Sequence, residues 1–341
     1  TVEWLAGLLP PGALVCATDF LYPGHSRLRM HGPPAGYGRR LQRDLLEAAE
    51  AEPLVEVRRG VDVQSLSSVR LPDGRTAVTG LRLRDGALLE GAAVVLATNG
   101  FGASRELVAR HLGEGVASGL YLGSPLNTGD GIAWAEAVGA ATERMGSYQG
   151  HASVAAPEGP LVTWGVVVNG GVLLDRHGRR FGNELVGYSA YSESVMAQPG
   201  AEAVEVFSHA CYEACRGTRL EEVIEAGKVG TFDSLAALCE AHRLPLAAVR
   251  ETLEEVRGAS GRKDSLGRPW PAESSWSSDG PLHAIAVRAA LFHTQGGLRT
   301  DFDARVLRSD GAPIPGLFAV GGAAAGLSGE GASGYLSGNG L

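Results

Sequence analysis

Three glycine-rich segments decide the fold of this chain: HTQGGL at 293–298, IPGLFAVGG at 314–322 and ASGYLSGNGL at 332–341. Strand-like sequence separates them. Because glycine has no Cβ, such turns let backbone N–H groups approach a flat ligand and its phosphates without obstruction. The glycines could instead merely close hairpins. We interpret the three segments as parts of a pocket for a nucleotide or a flavin.

Two earlier segments show the order of strand, glycine turn and helix that nucleotide-binding α/β domains use. In the first, a short meander leads into a buried strand at 93–97, which runs into TNGFGAS at 98–104 and then a helix. In the second, NTGDGIAWAEAVGA at 127–140, Thr128 or Asp130 is expected to cap a helix. We expect both turns to lie beside one bound cofactor.

The middle of the chain, residues 147–293, differs in character and is expected to form an inserted domain. GVVVNGGVLLDRHGRRF at 165–181 is strand-like and leads into a polar loop. Helices are predicted at about 200–216, 219–227, 231–242 and 245–257. The turn-rich stretch at 260–281 is typical of a loop that covers something. The flanking parts, 1–146 and 294–341, then form a second, discontinuous domain.

Length and composition limit the class of protein. A chain of 341 residues exceeds the usual size of a single core, so two domains, or one domain interrupted by another, are expected. Its 49 glycines are about twice the average share. The net charge of −8 and the scattered arginines argue against a nucleic-acid partner. No apolar run approaches the roughly 20 residues of a membrane span, so none is expected.

The cysteines bear on metal binding and on location. Cys16, Cys211, Cys215 and Cys239 form no CxxC pair and have no histidine at a metal-binding spacing, so no metal site is expected. We expect reduced thiols, which favours a cytoplasmic location.

The glycine segments resemble the flavin-binding signature of the fumarate reductase, tricarballylate dehydrogenase and 3-ketosteroid dehydrogenase superfamily. The resemblance lies in HT-x-GG, PGLFAVG and G-x-x-SGNGL. VVLATNGFGAS is similar to that family's ATGGFG turn, NTGDGI to its TGDG turn, and VVNGGVLLDRHGRRFGNE to a strand pair of its substrate domain. The match runs in order across most of residues 39–341.

This resemblance implies an α/β (α+β) fold: a truncated Rossmann-like FAD-binding domain of the glutathione reductase type, with an inserted α+β capping domain of the fumarate reductase type. It implies FAD as cofactor and an oxidoreductase acting on CH–CH groups. The residues implied in cofactor binding are Thr98, Asn99, Gly100, Thr128, Asp130, Gly321, Gly322, Ser337, Gly338, Asn339, Gly340 and Leu341.

The chain also departs from the family pattern. Family members begin with a strand and a GxGxxG turn that hold the pyrophosphate of FAD, and this sequence has no such turn after a strand. It stops at Leu341, where the family continues into a helix that faces the flavin. Gly322 stands where the family has a glutamate that touches ribityl or ribose hydroxyls. We interpret the sequence as a fragment or trimmed form of a longer protein.

The substrate site implied by the resemblance lacks two expected arginines. In the fumarate-reducing relatives an arginine delivers the proton, and further arginine and histidine side chains clamp two carboxylates. His293 and His151 fall on the two histidine positions, whereas the arginine positions fall at or near Tyr188 and on Tyr335. A phenol cannot replace a bidentate guanidinium clamp, so a fumarate-like dianion is disfavoured.

The tyrosines resemble instead the ketosteroid dehydrogenases, in which phenol hydroxyls polarise a ketone oxygen and take up a proton. We therefore predict Tyr188, Tyr335 and His293 as catalytic residues. His151, Thr294 and Tyr191 are predicted to bind substrate. For each aromatic residue the alternative is a purely structural role, with the ring packed against the pocket wall.

Several functions remain open from the sequence. The first is hydride and proton transfer across a C–C bond next to a carbonyl, in an enone or a ketosteroid-like molecule. The second is reduction of an unsaturated carboxylate held by His151, His293 and an unidentified arginine. The third is a non-catalytic remnant or binding protein that has lost its cofactor, and an NAD-linked dehydrogenase is weaker still. The expected partners are a small-molecule substrate and an unknown electron donor or acceptor.

Overall fold

The computed structural model describes residues 2–18, 26–35, 37–272, 276 and 280–335. They belong to two compact units. The first takes its residues from Thr1–Gln64 and Arg82–Ala87, and the second from Ser65–Leu81 and Leu88–Gly340.

The first unit contains two helices and two short paired strands: α1 (Val2–Leu8), β1 (Val15–Cys16), β2 (His31–Gly32) and α2 (Tyr37–Ala51). Helix α2 is 15 residues long. Its Asp44 is buried and accepts hydrogen bonds from Arg40 Nε at 2.7 Å.

A meander of three strands follows, as predicted: β3 (Val63–Arg70), β4 (Thr76–Leu83) and β5 (Leu88–Glu90). The elements after it, up to the substrate region, are β6 (Val94–Leu96), α3 (Arg105–Leu112), α4 (Glu114–Ala117), β7 (Leu120–Tyr121), α5 (Asp130–Ala137), β8 (Thr142–Glu143) and β9 (Tyr148–Ala155). Helix α5 begins after Gly129, whose φ of 83° is left-handed, and no side chain caps it. The predicted cap by Thr128 or Asp130 is therefore wrong, because a glycine turn rather than a side chain starts this helix.

The middle of the chain alternates helices and strands. Its elements are α6 (Gly165–Val168), β10 (Val172–Leu174), α7 (Tyr188–Met196), β11 (Glu202–Ser208), α8 (His209–Cys215), α9 (Leu220–Glu225), β12 (Gly230–Phe232), α10 (Leu235–His242) and α11 (Leu246–Gly258). The remaining strands are β13 (Leu282–Thr294), β14 (Gly297–Leu298), β15 (Arg305–Leu307) and β16 (Pro313–Ala319).

Three predictions for this middle region are wrong. The first half of the strand-like segment at 165–181 is the helical turn α6, and the predicted polar loop is helix α7. Residues 202–208 form strand β11 rather than the start of a helix. Pairing decides this last case, because β11 lies between β10 and β13 and bonds to both of them in antiparallel register.

A parallel strand pair places two glycine turns side by side. Strand β16 runs parallel to β6, with Leu317 opposite Val94 and Ala319 opposite Leu96. The carboxyl ends of parallel neighbours meet at one edge of a sheet, where α/β proteins bind their ligands. The turns that follow β6 and β16, at 98–100 and 321–322, therefore share this edge.

The long strand β13 organises the middle of the chain. It pairs with β9, β11 and β12 in antiparallel fashion and with β7 in parallel fashion. Its last residues lie beside the start of β9, so that Ala290 is opposite His151 and His293 is opposite Gln149. This register brings the two predicted histidines to one end of the sheet.

The second unit has three hydrophobic clusters. The buried members of the first come from 66–148 and 291–332, and those of the other two from 152–289. The predicted domain boundaries after residues 146 and 293 lie inside the second unit and remain a prediction.

Candidate active site

A cavity of about 560 Å³ opens at the edge where β6 and β16 end. This volume lies within the usual range of ligand pockets, roughly 300–1,000 Å³. Two walls can be distinguished. The turn wall is formed by Asn99, Gly321 and Gly322, and the aromatic wall by Phe292, His293 and Tyr335. The cavity is also lined by Ala97, Gly123, Ser124, Asn127, Gln295 and Val320.

In the turn wall and at the adjoining Gly100, the backbone lies so close to neighbouring residues that a side chain in place of a glycine would not fit. Asn99 has a left-handed φ of 62°, and its Oδ1 accepts a hydrogen bond from the Gly100 N–H at 2.9 Å. A Cβ at Gly322 would collide with the Asn99 carboxamide, and one at Gly100 would collide with the Thr294 hydroxyl. Such a bare surface fits a flat ring system and its polar chain, so these residues suit an FAD.

The second predicted turn lies against the first. A Cβ at Gly131 would collide with the Thr98 hydroxyl, and the Ala103 N–H donates to the Asn127 carbonyl at 2.9 Å. Thr98, Thr128 and Asp130 are exposed beside these contacts. The structure therefore brings the two turns together, as expected of two parts of one cofactor site.

Four of the predicted substrate-site residues form one aromatic chain. The His151 ring stacks between Tyr188, at a centroid distance of 5.0 Å, and Phe292, at 5.3 Å. Tyr188 lies 5.9 Å from Tyr335, and Tyr335 lies 6.3 Å from His293. Two phenols and two imidazoles are thus in ring contact; Tyr335 and His293 line the cavity, whereas Tyr188 and His151 are not among its lining residues.

The two histidines hold opposite tautomers. His151 Nδ1 accepts the Ser153 N–H at 3.1 Å, so the proton of the neutral ring is on Nε2. His293 Nδ1 lies 3.3 Å from the Thr294 carbonyl and donates to it, which leaves Nε2 as an acceptor. Burial lowers the pKa of His293 and, with a smaller contribution from the charge of Arg219, the pKa of His151 to about 3. At neutral pH one imidazole is therefore a donor and the other an acceptor, and neither is charged.

Two predicted substrate residues lie away from the cavity. Thr294 is buried, and its hydroxyl accepts the Phe101 N–H at 3.1 Å, which ties β13 to the turn after β6. Tyr191 is buried on α7 and stacks on Phe181 at 5.4 Å, and its hydroxyl has no hydrogen-bond partner among the described residues. Their positions favour structural roles over contact with substrate.

A buried charge cluster supports the start of α7. Glu184 is fully buried and forms salt bridges with Arg180 at 2.7 Å and with Arg268 at 3.0 Å. Arg180 also binds Asp264 at 2.5 Å, and the Trp270 ring lies 4.0 Å from the Arg268 guanidinium. The cluster attaches the described part of the predicted covering loop to the segment just before Tyr188.

A second buried carboxyl lies behind His151. Glu205 on β11 bonds to the Ser153 hydroxyl, and burial raises its pKa to about 8. At neutral pH it therefore keeps its proton and adds no negative charge to this part of the sheet.

Sequence reasoning missed two polar residues of the cavity. Asn127 is buried, and its Nδ2 donates to the Tyr121 hydroxyl at 2.9 Å. Gln295 is 3% exposed and lies between the predicted His293–Thr294 pair and two glycines. Gln295 occupies the variable position of HT-x-GG, so the motif gave no signal for it.

The remaining predictions concern the last residues of the chain, metal binding and membrane spans. Ser337, Gly338, Asn339, Gly340 and Leu341 lie outside the described residues. Among the described residues, no group of three or more histidine, cysteine or acidic side chains could hold a metal ion. In the same part of the chain, every helix is too short or too polar to cross a bilayer.

Comparison with known proteins places these features in a family. The model of the FAD binding domain family matches residues 21–341. Fumarate reductase (cytochrome) of Shewanella frigidimarina is 30% identical over 239 residues, which cover 70% of this chain and 41% of that protein. The 4-oxocyclohexanecarboxylate 2-dehydrogenase of Sinomonas cyclohexanicum is 32% identical over 311 residues, which cover 76% of this chain and 53% of that protein.

The fold has a close counterpart among solved structures. The open conformation of a flavocytochrome c3 fumarate reductase superposes with a TM-score of 0.77 and 25% identity, over 99% of this chain and 58% of that one. Against the first of the curated relatives, the chain spans about two fifths of the relative's length. The comparisons confirm the predicted fold class and FAD as the cofactor. The chain belongs to the FAD binding domain family.

Proposed function

We propose that the protein is an FAD-dependent oxidoreductase that transfers a hydride and a proton across a C–C bond next to a carbonyl. One observation carries this proposal: the phenol of Tyr335 and the imidazole of His293 line the cavity, Tyr335 is in ring contact with Tyr188, and no arginine is among the described residues that line the cavity. Such a site suits a neutral ketone better than a dicarboxylate, which needs paired guanidinium groups.

The turn wall would hold the FAD. Asn99, Gly321 and Gly322 offer backbone and one carboxamide to a flat group, and the aromatic wall of the same cavity would receive substrate. When bound, the cofactor supplies the hydride chemistry, and the protein contributes orientation and electrostatics.

Side chains of the aromatic wall, together with Tyr188 and His151 of the adjoining aromatic chain, would handle the carbonyl and the proton. The Tyr335 and Tyr188 hydroxyls and the His151 Nε2–H can donate hydrogen bonds to a carbonyl oxygen, which draws electron density away from the adjacent carbon. His293 Nε2 has a free lone pair and can accept the proton that leaves that carbon, or return it in the reverse reaction.

Named relatives support a cyclic ketone as the substrate class. The Sinomonas relative is a 4-oxocyclohexanecarboxylate 2-dehydrogenase, and a relative in Mycolicibacterium smegmatis is a 3-oxosteroid 1-dehydrogenase, 26% identical over 305 residues. Both names describe dehydrogenation of a ring that bears a ketone.

A second candidate is the reduction of an unsaturated carboxylate. Burial lowers the pKa of His151, and the positive charge of Arg219 lowers it further by a smaller amount. An arginine near His151 is what a carboxylate substrate would need. Arg219 lies outside the cavity lining and pairs with Glu222 at 3.2 Å, so we favour the ketone.

We propose further that the protein works in the cytoplasm with a separate electron donor or acceptor. All four cysteines are thiols in the structure, which suits a reducing compartment.

Ligand binding tests the proposal without turnover. We expect a cyclic enone, which has no hydride to give to an oxidised flavin in this reaction, to perturb the flavin absorbance of the oxidised holoprotein and to saturate. Fumarate should leave the spectrum unchanged at the same concentrations, because no arginine is among the described residues that line the cavity. A strong response to fumarate with none to the enone would favour a carboxylate substrate instead.

A further inference from the structure

Gln295 is a buried polar residue whose amide nitrogen is unused. Its side chain lines the cavity and is 3% exposed, and Nε2 has no hydrogen-bond partner among the described residues. A buried amide donor without a partner destabilises the structure, because it has lost its hydrogen bonds to water. A ligand that brings an acceptor to Nε2 would remove this cost.

The rest of the residue is held firmly. The Gln295 N–H donates to the Ser147 carbonyl at 2.8 Å, and its carbonyl accepts the Gly326 N–H at 3.0 Å. The Ser328 hydroxyl donates to the side-chain oxygen Oε1. With Oε1 occupied in this way, the amide presents its N–H groups as donors of fixed direction.

The contacts of Gln295 connect it to the cofactor side of the cavity. Gly326 and Ser328 belong to the segment that continues from the turn wall at 321–322. A Cβ at the neighbouring Gly297 would stand 2.8 Å from the Ala324 carbonyl carbon, so this strand packs directly on that segment. A hydrogen-bond acceptor that reaches Gln295 Nε2 from this side of the cavity is therefore expected to belong to the cofactor rather than to the substrate.

We propose that the Gln295 amide would donate a hydrogen bond to a ring acceptor of the bound flavin that gains negative charge on reduction, a carbonyl oxygen or N1, and would thereby raise the reduction potential of the flavin. Reduction adds electron density to these acceptors, and hydrogen bonds to charged groups are stronger than those to neutral ones. The donor therefore stabilises the reduced form more than the oxidised form. This inference rests on the FAD binding of the proposed function and not on its choice of substrate.

The test is the two-electron midpoint potential of the flavin in the holoprotein, measured anaerobically against a reference dye. Gln295→Met removes the donor at similar volume. We expect its equilibrium constant for flavin reduction to fall at least about tenfold, which is about 30 mV for a two-electron couple. Gln295→Glu keeps an oxygen for Ser328 but places a carboxylate at the ring, so an equal or larger fall is expected.

Two further variants provide controls. Gln64→Met makes the same change at an exposed glutamine on β3 and should leave the potential unchanged. Ser328→Ala removes the hydroxyl that orients the amide but keeps the donor, so it should lower the potential by less than Gln295→Met. A variant that loses FAD while the apoprotein keeps its unfolding temperature also supports a contact with the cofactor.

An unchanged potential in the Gln295 and Ser328 variants that retain FAD would overturn the inference. If such variants instead weaken the binding of a cyclic ketone alone, the amide contacts substrate and the flavin assignment is wrong. Neither result contradicts the proposed reaction, because that reaction is tested separately by the turnover of substrate.

Discussion

Tyr335→Phe is expected to lower kcat for a cyclic enone by about 10²-fold or more, the usual contribution of a positioned acid or base. The change removes the hydroxyl and keeps the ring, so the contacts of Tyr335 with Tyr188 at 5.9 Å and His293 at 6.3 Å should persist. KM and the flavin spectrum should therefore change little. Steady-state kinetics with an artificial electron donor measures both constants.

The matched control for this variant is Tyr212→Phe. Tyr212 stacks on His283 at 4.2 Å and accepts a hydrogen bond from Arg216, outside the residues that line the cavity. Its kcat should equal that of the wild type. A Tyr335→Phe enzyme with wild-type kcat would show that the phenol only packs against the wall.

Glu184→Ala is expected to lower the free energy of unfolding by about 3–5 kcal/mol, the usual cost of removing one partner of a buried ion pair. Arg268 would lose its buried counter-ion, Arg180 would keep only Asp264, and the Leu173 N–H would lose its acceptor at 3.3 Å. Urea denaturation of the apoprotein, followed by tryptophan fluorescence, measures the change.

Glu106→Ala is the control for this second variant. Glu106 and Arg110 are also four residues apart and also 2.7 Å from one another, but both are exposed. Solvent screens such a pair, so its loss should leave the unfolding midpoint almost unchanged. Equal losses of stability in the two variants would contradict the assigned role of burial.

The glycine turns could be predicted because their cause is local. A strand that runs into a glycine turn indicates a ligand edge wherever it stands in the chain, and the turns at 98–100 and 321–322 meet at such an edge. The strand at 93–97 is predicted to be buried, but Val95 of β6 is exposed. The proximity of His151, Tyr188, Tyr335 and His293 was implied by family resemblance alone. No spacing in the sequence predicts the register of β9 on β13 that brings the histidines together.

The wrong predictions have tertiary causes. Residues 202–208 form a strand because β10 and β13 offer partners on both sides, a fact that local propensity does not contain. The sequence at 188–196 contains many polar residues. Its helix nevertheless buries Ser189, Ser192 and Tyr191 against β9 and against one of the hydrophobic clusters of residues 152–289. Gln295 could not be predicted from a sequence pattern. It stands out only in the structure, where its buried amide nitrogen has no hydrogen-bond partner among the described residues.

The most direct test of the central claim is anaerobic reoxidation of the dithionite-reduced flavin in the holoprotein, followed by absorbance. A cyclic enone, a monounsaturated acid and fumarate are offered separately. The phenol and imidazole site predicts rapid reoxidation by the enone and none by fumarate. Reoxidation by fumarate alone would contradict the account and point to Arg219 as part of a carboxylate site.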